Sequence, residues 1–234
     1  KNLTQYLFIL ISFLLFSSLS SNAQKLENPI SEAYLKKHLV KKSPKLIPTP
    51  QIEKELKSKL KSDPLVQRYY QYLKDESIHI LEKPLLKREL EGFRLLAVSR
   101  EMVERMGALC MVYRIEKDPL ILKRIDEEIQ TVCNFIDWNN QHYLDVAEMS
   151  FAVALGIDWV GKWLPKETVQ LAKNSLIEKG IKPSFDESNR RMFWISGTNN
   201  WNAVCHGGMI AAALVTAAIN PELSAQTISR ALEK

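Results

Sequence analysis

From Arg88 onward the apolar residues of this chain recur at helical spacing. Leu96, Val103, Met106, Cys110 and Tyr113 form one stripe and Ile121, Ile125, Ile129, Val132 and Ile136 a second, with Lys117, Asp118 and Pro119 breaking the pattern between them. Asp118 supplies a helix N-cap and Pro119 a first helical residue, so the spacing predicts two antiparallel helices joined by a tight turn. A second such unit follows. Residues 145–163 are apolar on most sides, Pro165 restarts the chain, and Val169, Ala172, Leu176 and Ile177 mark a one-sided stripe with Gly180 as its expected C-cap. In the third unit, residues 202–218 are small and apolar, Asn220 and Pro221 form the turn, and Ala225, Ile228 and Leu232 begin another stripe.

A helix that is apolar all round must be covered on all sides, whereas a one-sided helix faces water. Alternating the two kinds gives an inner and an outer layer. The prediction is therefore an all-α chain of repeated antiparallel helical hairpins, either an open solenoid or part of an incomplete α/α toroid. The period of about 55 residues exceeds that of tetratricopeptide or ankyrin repeats, and no convincing strand run is present.

The N-terminal portion follows different rules. Residues 6–19 (YLFILISFLLFSSL) are almost wholly apolar, begin after a basic Lys1, and lead into Ser20, Ser21, Asn22 and Ala23. This is the grammar of a cleaved secretory signal peptide over residues 1–23, which predicts a periplasmic or secreted bacterial protein starting at Gln24. A membrane anchor is the alternative, but the apolar run is shorter than the roughly 20 residues a bilayer core requires, so no stable membrane insertion is expected after cleavage. No Cys near the cleavage point offers a lipid attachment site. Residues 24–50 read as a basic, linker-like segment carrying Lys36, Lys37, Lys41, Lys42 and Lys45 and interrupted by four prolines. Lys54, Lys57, Lys59 and Lys61 continue the run on a short helical pattern, read as a solvated face with polyanion binding as the alternative. Residues 51–234 form the helical domain. Because the chain opens on Lys1 rather than Met and closes on Lys234 within a helical pattern, it is expected to be the N-terminal piece of a longer protein.

Composition narrows the class. With 234 residues, 46% hydrophobic and 25% charged, the chain excludes disorder and a small disulfide scaffold. A net charge of +5 suits an acidic partner but falls short of a nucleic-acid protein, and none is expected as a partner. Cys110, Cys133 and Cys205 are the only cysteines; the first two sit at different heights on the helices flanking Lys117, so all three are expected to be buried and free. No CxxC or HxxxH spacing exists, and neither a metal nor a cofactor is expected in this segment.

Two polar, aromatic loops lead into the apolar helices. The first runs Asp137, Trp138, Asn139, Asn140, Gln141, His142, Tyr143, and the second runs from Met192 to Asn202 and includes Trp194, Asn199, Asn200 and Trp201. Inner helices of such an array run in one direction, so these loops collect at one end. Aromatic faces suit sugar C–H surfaces, amides suit hydroxyls, and helix N-termini favour a carboxylate. Trp138, Asn140, His142, Tyr143, Trp194, Asn199, Trp201 and Asn202 are therefore candidate substrate-binding residues. Against that stands a structural role: Trp138, Trp159, Trp163 and Trp194 have core as their alternative, favoured for Trp159 and Trp163 within helical runs, Asn202 reads as a cap, and His206 beside Gly207 and Gly208 as a hydrogen-bonded core histidine.

The run NNWNAVCHGGMIAAAL at residues 199–214, preceded by Trp194, together with YLDVAEMSFAVALGIDWV at residues 143–160, resembles the N-terminal helical domain of heparinase II/III-like polysaccharide lyases. The resemblance covers roughly Arg88 to Lys234, and the Asn-Trp-Asn segment is its specific part. It implies an α/α toroid followed in cis by a β-sandwich domain missing from this segment, an acidic polysaccharide substrate, and cleavage of uronic-acid polymers by β-elimination. In that reaction donors neutralise the C5 carboxylate, a base removes the C5 proton, and an acid protonates the departing O4. The resemblance assigns neutralisation to Asn200. Trp201 stands where many members carry His, so His206, one turn into the helix, is the candidate to replace it or to support the loop. The family's catalytic Tyr belongs to a later hairpin and matches no residue here, which implies that the segment alone is inactive.

Two alternatives stay open. A glycoside hydrolase on the same toroid needs paired carboxylates, for which Asp137, Asp145, Glu148, Asp186 and Glu187 are candidates. A non-catalytic carbohydrate-binding array needs none.

Overall fold

The computed structural model describes residues 27–47, 49–186 and 192–233. The segment read as a signal peptide lies outside them, as does Glu187. The described residues are all-helical, with nine α-helices: α1 (Glu32–His38), α2 (Pro50–Ser62), α3 (Pro64–Glu82), α4 (Leu96–Glu116), α5 (Pro119–Cys133), α6 (Tyr143–Val160), α7 (Lys166–Ser175), α8 (Asn200–Thr216) and α9 (Pro221–Leu232). Short π and 3-10 turns at Leu176–Ile181, Lys182–Phe185 and Met192–Ile195 link α7 to α8.

Local chemistry sets the helix starts. Thr49, Asp63, Asp118 and Asn220 each place a side-chain oxygen on a backbone N–H of the first turn, and each is followed by proline. The turn between α4 and α5 closes with Lys117 in the left-handed region at φ 62°. Its ammonium lies 3.7 Å from the Trp163 ring centroid and 4.9 Å from that of Tyr113, contacts that help offset the backbone cost.

Helices α4, α6 and α8 form the core and run side by side in the same direction. At one end Leu95 N donates to Asp145 Oδ2 (2.6 Å) and the His142 and Trp201 rings meet at 4.7 Å. At the other end Arg114 donates to the Trp159 carbonyl. Both sides of α6 are thereby covered, which is why nearly all its residues are buried. Helix α5 packs on α4, α7 on α5 and α6, and α9 on α8. Gly208 marks the closest approach of α6 and α8: a Cβ there would lie 2.3 Å from the Ala147 carbonyl oxygen.

Charged groups inside this core are paired. Glu128, fully buried on α5, accepts from Arg105 of α4 and from Arg124 Nε (2.8 Å), and the two guanidinium groups also donate to the Pro84, Leu81 and Lys83 carbonyls. This network pins the link between α3 and α4.

Two expectations need correction. The linker-like segment is docked: Ser31 caps α1, Leu35 is buried, and Asn28 Nδ2 donates to Ser229 Oγ at 2.8 Å. The Lys45 and Leu46 amides donate to Asp158 Oδ2 at 2.7 and 2.8 Å. Gly180 is not a C-cap but lies inside the π turn. Space is tight there, since a Cβ would come 2.7 Å from Ser150 Oγ, which would have to turn away, and 3.5 Å from the Trp138 ring.

The three cysteines are free and buried. Burial raises their thiols above the ordinary value, that of Cys205 to about 12, so they pack as small apolar groups. Among the described residues no helix is long and apolar enough to cross a membrane.

Candidate functional site

The starts of α4, α6 and α8 lie at one end of the molecule and are joined by an aromatic series. The Phe93 ring meets His142 edge-on at 5.6 Å, His142 meets Trp201 at 4.7 Å, and Trp201 meets Phe193 at 5.1 Å. Phe93 and Phe193 are exposed and Trp201 is half-buried, so the series has a solvent-facing side.

A polar cluster beneath it fixes the geometry. Asp145, fully buried, accepts from Leu95 N, from Asn139 Nδ2 (2.6 Å) and from His142 Nδ1 (2.6 Å). A carboxylate only accepts, so the proton of the His142 bond sits on Nδ1. Asn139 adopts φ 65°, a left-handed conformation that asparagine tolerates, and its amide also donates to the Phe93 carbonyl at 2.8 Å. One residue therefore ties the loop before α4 to the loop before α6.

The second loop is held from inside. Asn202 Nδ2 donates to the Trp194 and Ile195 carbonyls, each at 3.1 Å, and His206 Nε2 donates to the Ile195 carbonyl at 3.1 Å. Asn199 is the N-cap of α8, its Oδ1 accepting from Trp201 N. Asn200, the first residue of α8, is exposed. Of the three amides, one caps, one ties the loop, and Asn200 remains turned to no described partner.

These positions sort the candidate residues. Trp201, Asn199 and Asn200 reach the surface, and Asn140 is half-buried. Trp138 and Trp194 are fully buried and Tyr143 nearly so, which corrects their expected role as sugar platforms. Trp138 Nε1 donates to the Val132 carbonyl, Trp194 stacks on Tyr143 at 4.9 Å, and the Tyr143 hydroxyl donates to the Gly180 carbonyl at 2.6 Å. Burial raises the Tyr143 phenol well above its ordinary value. His142 and His206 are buried as well, each holding a loop. Burial first, with the Arg230 charge adding and the Ile195 carbonyl opposing, lowers His206 below the usual imidazole value.

Sequence reasoning missed Phe93 and Arg94, and placed Asn139 and Phe193 in the two loops without choosing them as candidates. Phe93, Arg94 and Arg100 line an open depression of about 460 Å³ beside the start of α4, with the Arg94 guanidinium 5.1 Å from the Phe93 ring centroid. Arg100 pairs with Glu148 at 3.2 Å, and burial raises the Glu148 carboxyl despite that partner. Asp137 pairs with Arg88 at 2.7 Å. Among the described residues no group of three or more His, Cys, Asp or Glu is placed to hold a metal ion. No known family model matches the chain, and no curated protein matches it.

Proposed function

We propose that this chain is the exported N-terminal part of a polysaccharide lyase that cleaves an acidic, uronic-acid-containing polysaccharide by β-elimination, with α4 to α9 belonging to an α/α toroid. The observation that carries the reading is the aromatic series Phe93, His142, Trp201 and Phe193 beside the exposed Asn200 at the start of α8. Aromatic faces bind sugar rings, and Arg94 with the α8 N-terminus favours a bound carboxylate. Asn200 is the donor assigned to the uronate carboxylate, where its amide stabilises charge that develops as the C5 proton leaves. Trp201, Asn199 and Phe193 provide the binding surface, while His142, Tyr143, Trp194, Asn202 and His206 position it.

The hydrolase alternative is weakened at two of its five candidate carboxylates. Asp145 is buried and accepts three hydrogen bonds, and Asp137 is engaged by Arg88, so neither is placed as a free acid or base.

The test is ultraviolet absorbance of the unsaturated uronate product, with the full-length protein against heparin, chondroitin, hyaluronan, alginate and unsulfated glucuronans. A rise is expected with at least one polymer, and Asn200→Ala is expected to lower kcat by ~10² or more. Reducing sugar released without that absorbance overturns the lyase reading, and unchanged turnover removes Asn200 from its role. Export is tested separately by N-terminal sequencing, with Gln24 expected as the first residue.

A further inference from the structure

At the opposite end of the core helices lies a cavity of about 510 Å³, within the range of small-molecule sites. Lys41, Lys42 and Lys45 enter it from the segment between α1 and α2, Lys162 from the turn after α6, and Lys173 from α7, while its one lining carboxylate is Asp158. Arg114 also lines it but is matched by Glu53, with which it forms an ion pair. Asp158 is already committed, its Oδ2 accepting the Lys45 and Leu46 amides. Five lysines thus line a cavity whose one carboxylate is engaged.

Helix C-termini attract cations, and this accounts for Lys45, whose Nζ donates to the Leu214 carbonyl near the end of α8 at 3.1 Å. Lys162 lies over the Trp163 ring, its ammonium 3.9 Å from the centroid, which leaves Lys41, Lys42 and Lys173 without such an account. Their convergence on a concavity is unfavourable by mutual repulsion unless an anion compensates it. Burial lowers the Lys45 ammonium below its ordinary value, with Asp158 opposing and Lys173 adding the smallest part. Two buried polar atoms of lining residues also lack partners among the described residues: the indole N–H of Trp159 and Asp158 Oδ1. Both residues line the cavity, so the Trp159 indole reports on what occupies it.

We propose that this cavity binds a small polyol carrying several sulfate or phosphate ester groups, its oxyanions on Lys41, Lys42 and Lys173. The assignment is independent of the lyase reading, because it concerns residues at the other end of the helices.

The test is calorimetric titration of the full chain with sucrose octasulfate and, in parallel, myo-inositol hexakisphosphate, with sucrose and myo-inositol as uncharged controls. Saturable one-to-one binding of a charged probe is expected, weakening as salt rises. Stronger binding of the sulfated probe identifies sulfated saccharide as the source of the ligand, and stronger binding of the phosphorylated probe identifies a phosphorylated metabolite. Lys42→Gln combined with Lys173→Gln should weaken binding by about ten-fold or more, equivalent to ~1.4 kcal/mol. Lys54→Gln combined with Lys59→Gln removes the same charge from α2, outside the cavity, and should leave affinity within about two-fold. Titration should change tryptophan emission, and Trp159→Phe should abolish that change. Absence of saturable binding to both probes, equal loss in the two lysine pairs, equal binding of the uncharged controls, or an emission change retained in Trp159→Phe would each overturn the proposal.

Discussion

His142 Nδ1 lies 2.6 Å from Asp145 Oδ1, and both residues are buried at the start of α6. Asp145 also accepts from Leu95 N and from Asn139 Nδ2, so a single carboxylate gathers the loop before α4, the loop before α6 and the imidazole beneath Trp201. Removing such an acceptor strands several buried donors. Asp145→Asn replaces one oxygen by an NH2 group that faces other donors, and it should destabilise the fold by ~3 kcal/mol in urea unfolding. His142→Ala leaves the Leu95 and Asn139 bonds intact and should cost less. Equal midpoints for Asp145→Asn and the unmodified protein would show that the cluster does not anchor the loops.

Adjacent glycines on α8 provide a sharper contrast. Gly208 faces the Ala147 carbonyl so closely that a Cβ would lie 2.3 Å from its oxygen, whereas a Cβ on Gly207 would meet nothing within 4 Å. Gly208→Ala must push α6 and α8 apart and should cost about 3 kcal/mol, the upper end of overpacking effects. Gly207→Ala adds helix propensity at an exposed site and should stabilise by up to ~1 kcal/mol. Thermal unfolding of the two variants should therefore shift in opposite directions; a shared direction would contradict the helix contact.

These two glycines show how much of the structure was legible in the chain. Asp118 with Pro119 and Asn220 with Pro221 announced helix starts because capping is local chemistry, and the structure places both pairs at N-cap and first helical positions. The apolar stretch at 145–163 announced a covered helix because an all-round apolar surface must be buried, although α6 ends at Val160. The role of Gly180 was hidden, because it depends on Ser150 and Trp138. So was the docking of residues 27–47, where Asn28 meets Ser229 across 201 positions of sequence. In the candidate site, the loops and their place at the helix starts were readable, but not which indoles face solvent. Trp138, Trp194 and Trp201 look alike in sequence, and only packing separates the two buried rings from the half-buried one. A signal for Asp145 existed: a carboxylate within an otherwise apolar run requires a buried partner.

The ion network between α4 and α5 leads to a third expectation. Glu128 is 0% exposed and holds Arg105 and Arg124 together. Glu128→Ala leaves buried Arg124 without a carboxylate and Arg105 with Glu101 alone (2.6 Å), and should cost about 3 kcal/mol. Replacing only one arginine by Met should cost less, because Glu128 keeps its other partner. Urea denaturation of the single variants and their combinations would measure the coupling, and strict additivity would show that the three groups do not act as a unit.

A final expectation concerns pH. His206 Nε2 donates to the Ile195 carbonyl, while Nδ1 is buried with no hydrogen-bond partner among the described residues. Charging the ring places a second proton on Nδ1 where nothing accepts it and where the Arg230 charge opposes it, although burial is the largest cause of the lowered value. Between that lowered value and the ordinary imidazole value of about 6.5, the unfolded chain binds a proton that the folded chain does not. Stability supplied by the neutral ring is therefore present above ~6.5 and is lost as pH falls through this window. His206→Gln keeps an amide donor for Ile195 but does not titrate. Urea unfolding free energies of the two proteins, followed from about pH 7.5 down to about pH 5, should show a steeper loss with His206 in place. Glu148, raised by burial, titrates in both proteins and cancels in the difference. Parallel pH profiles would mean that the imidazole protonates as readily in the fold as in water, and that the Ile195 contact does not close the loop over it.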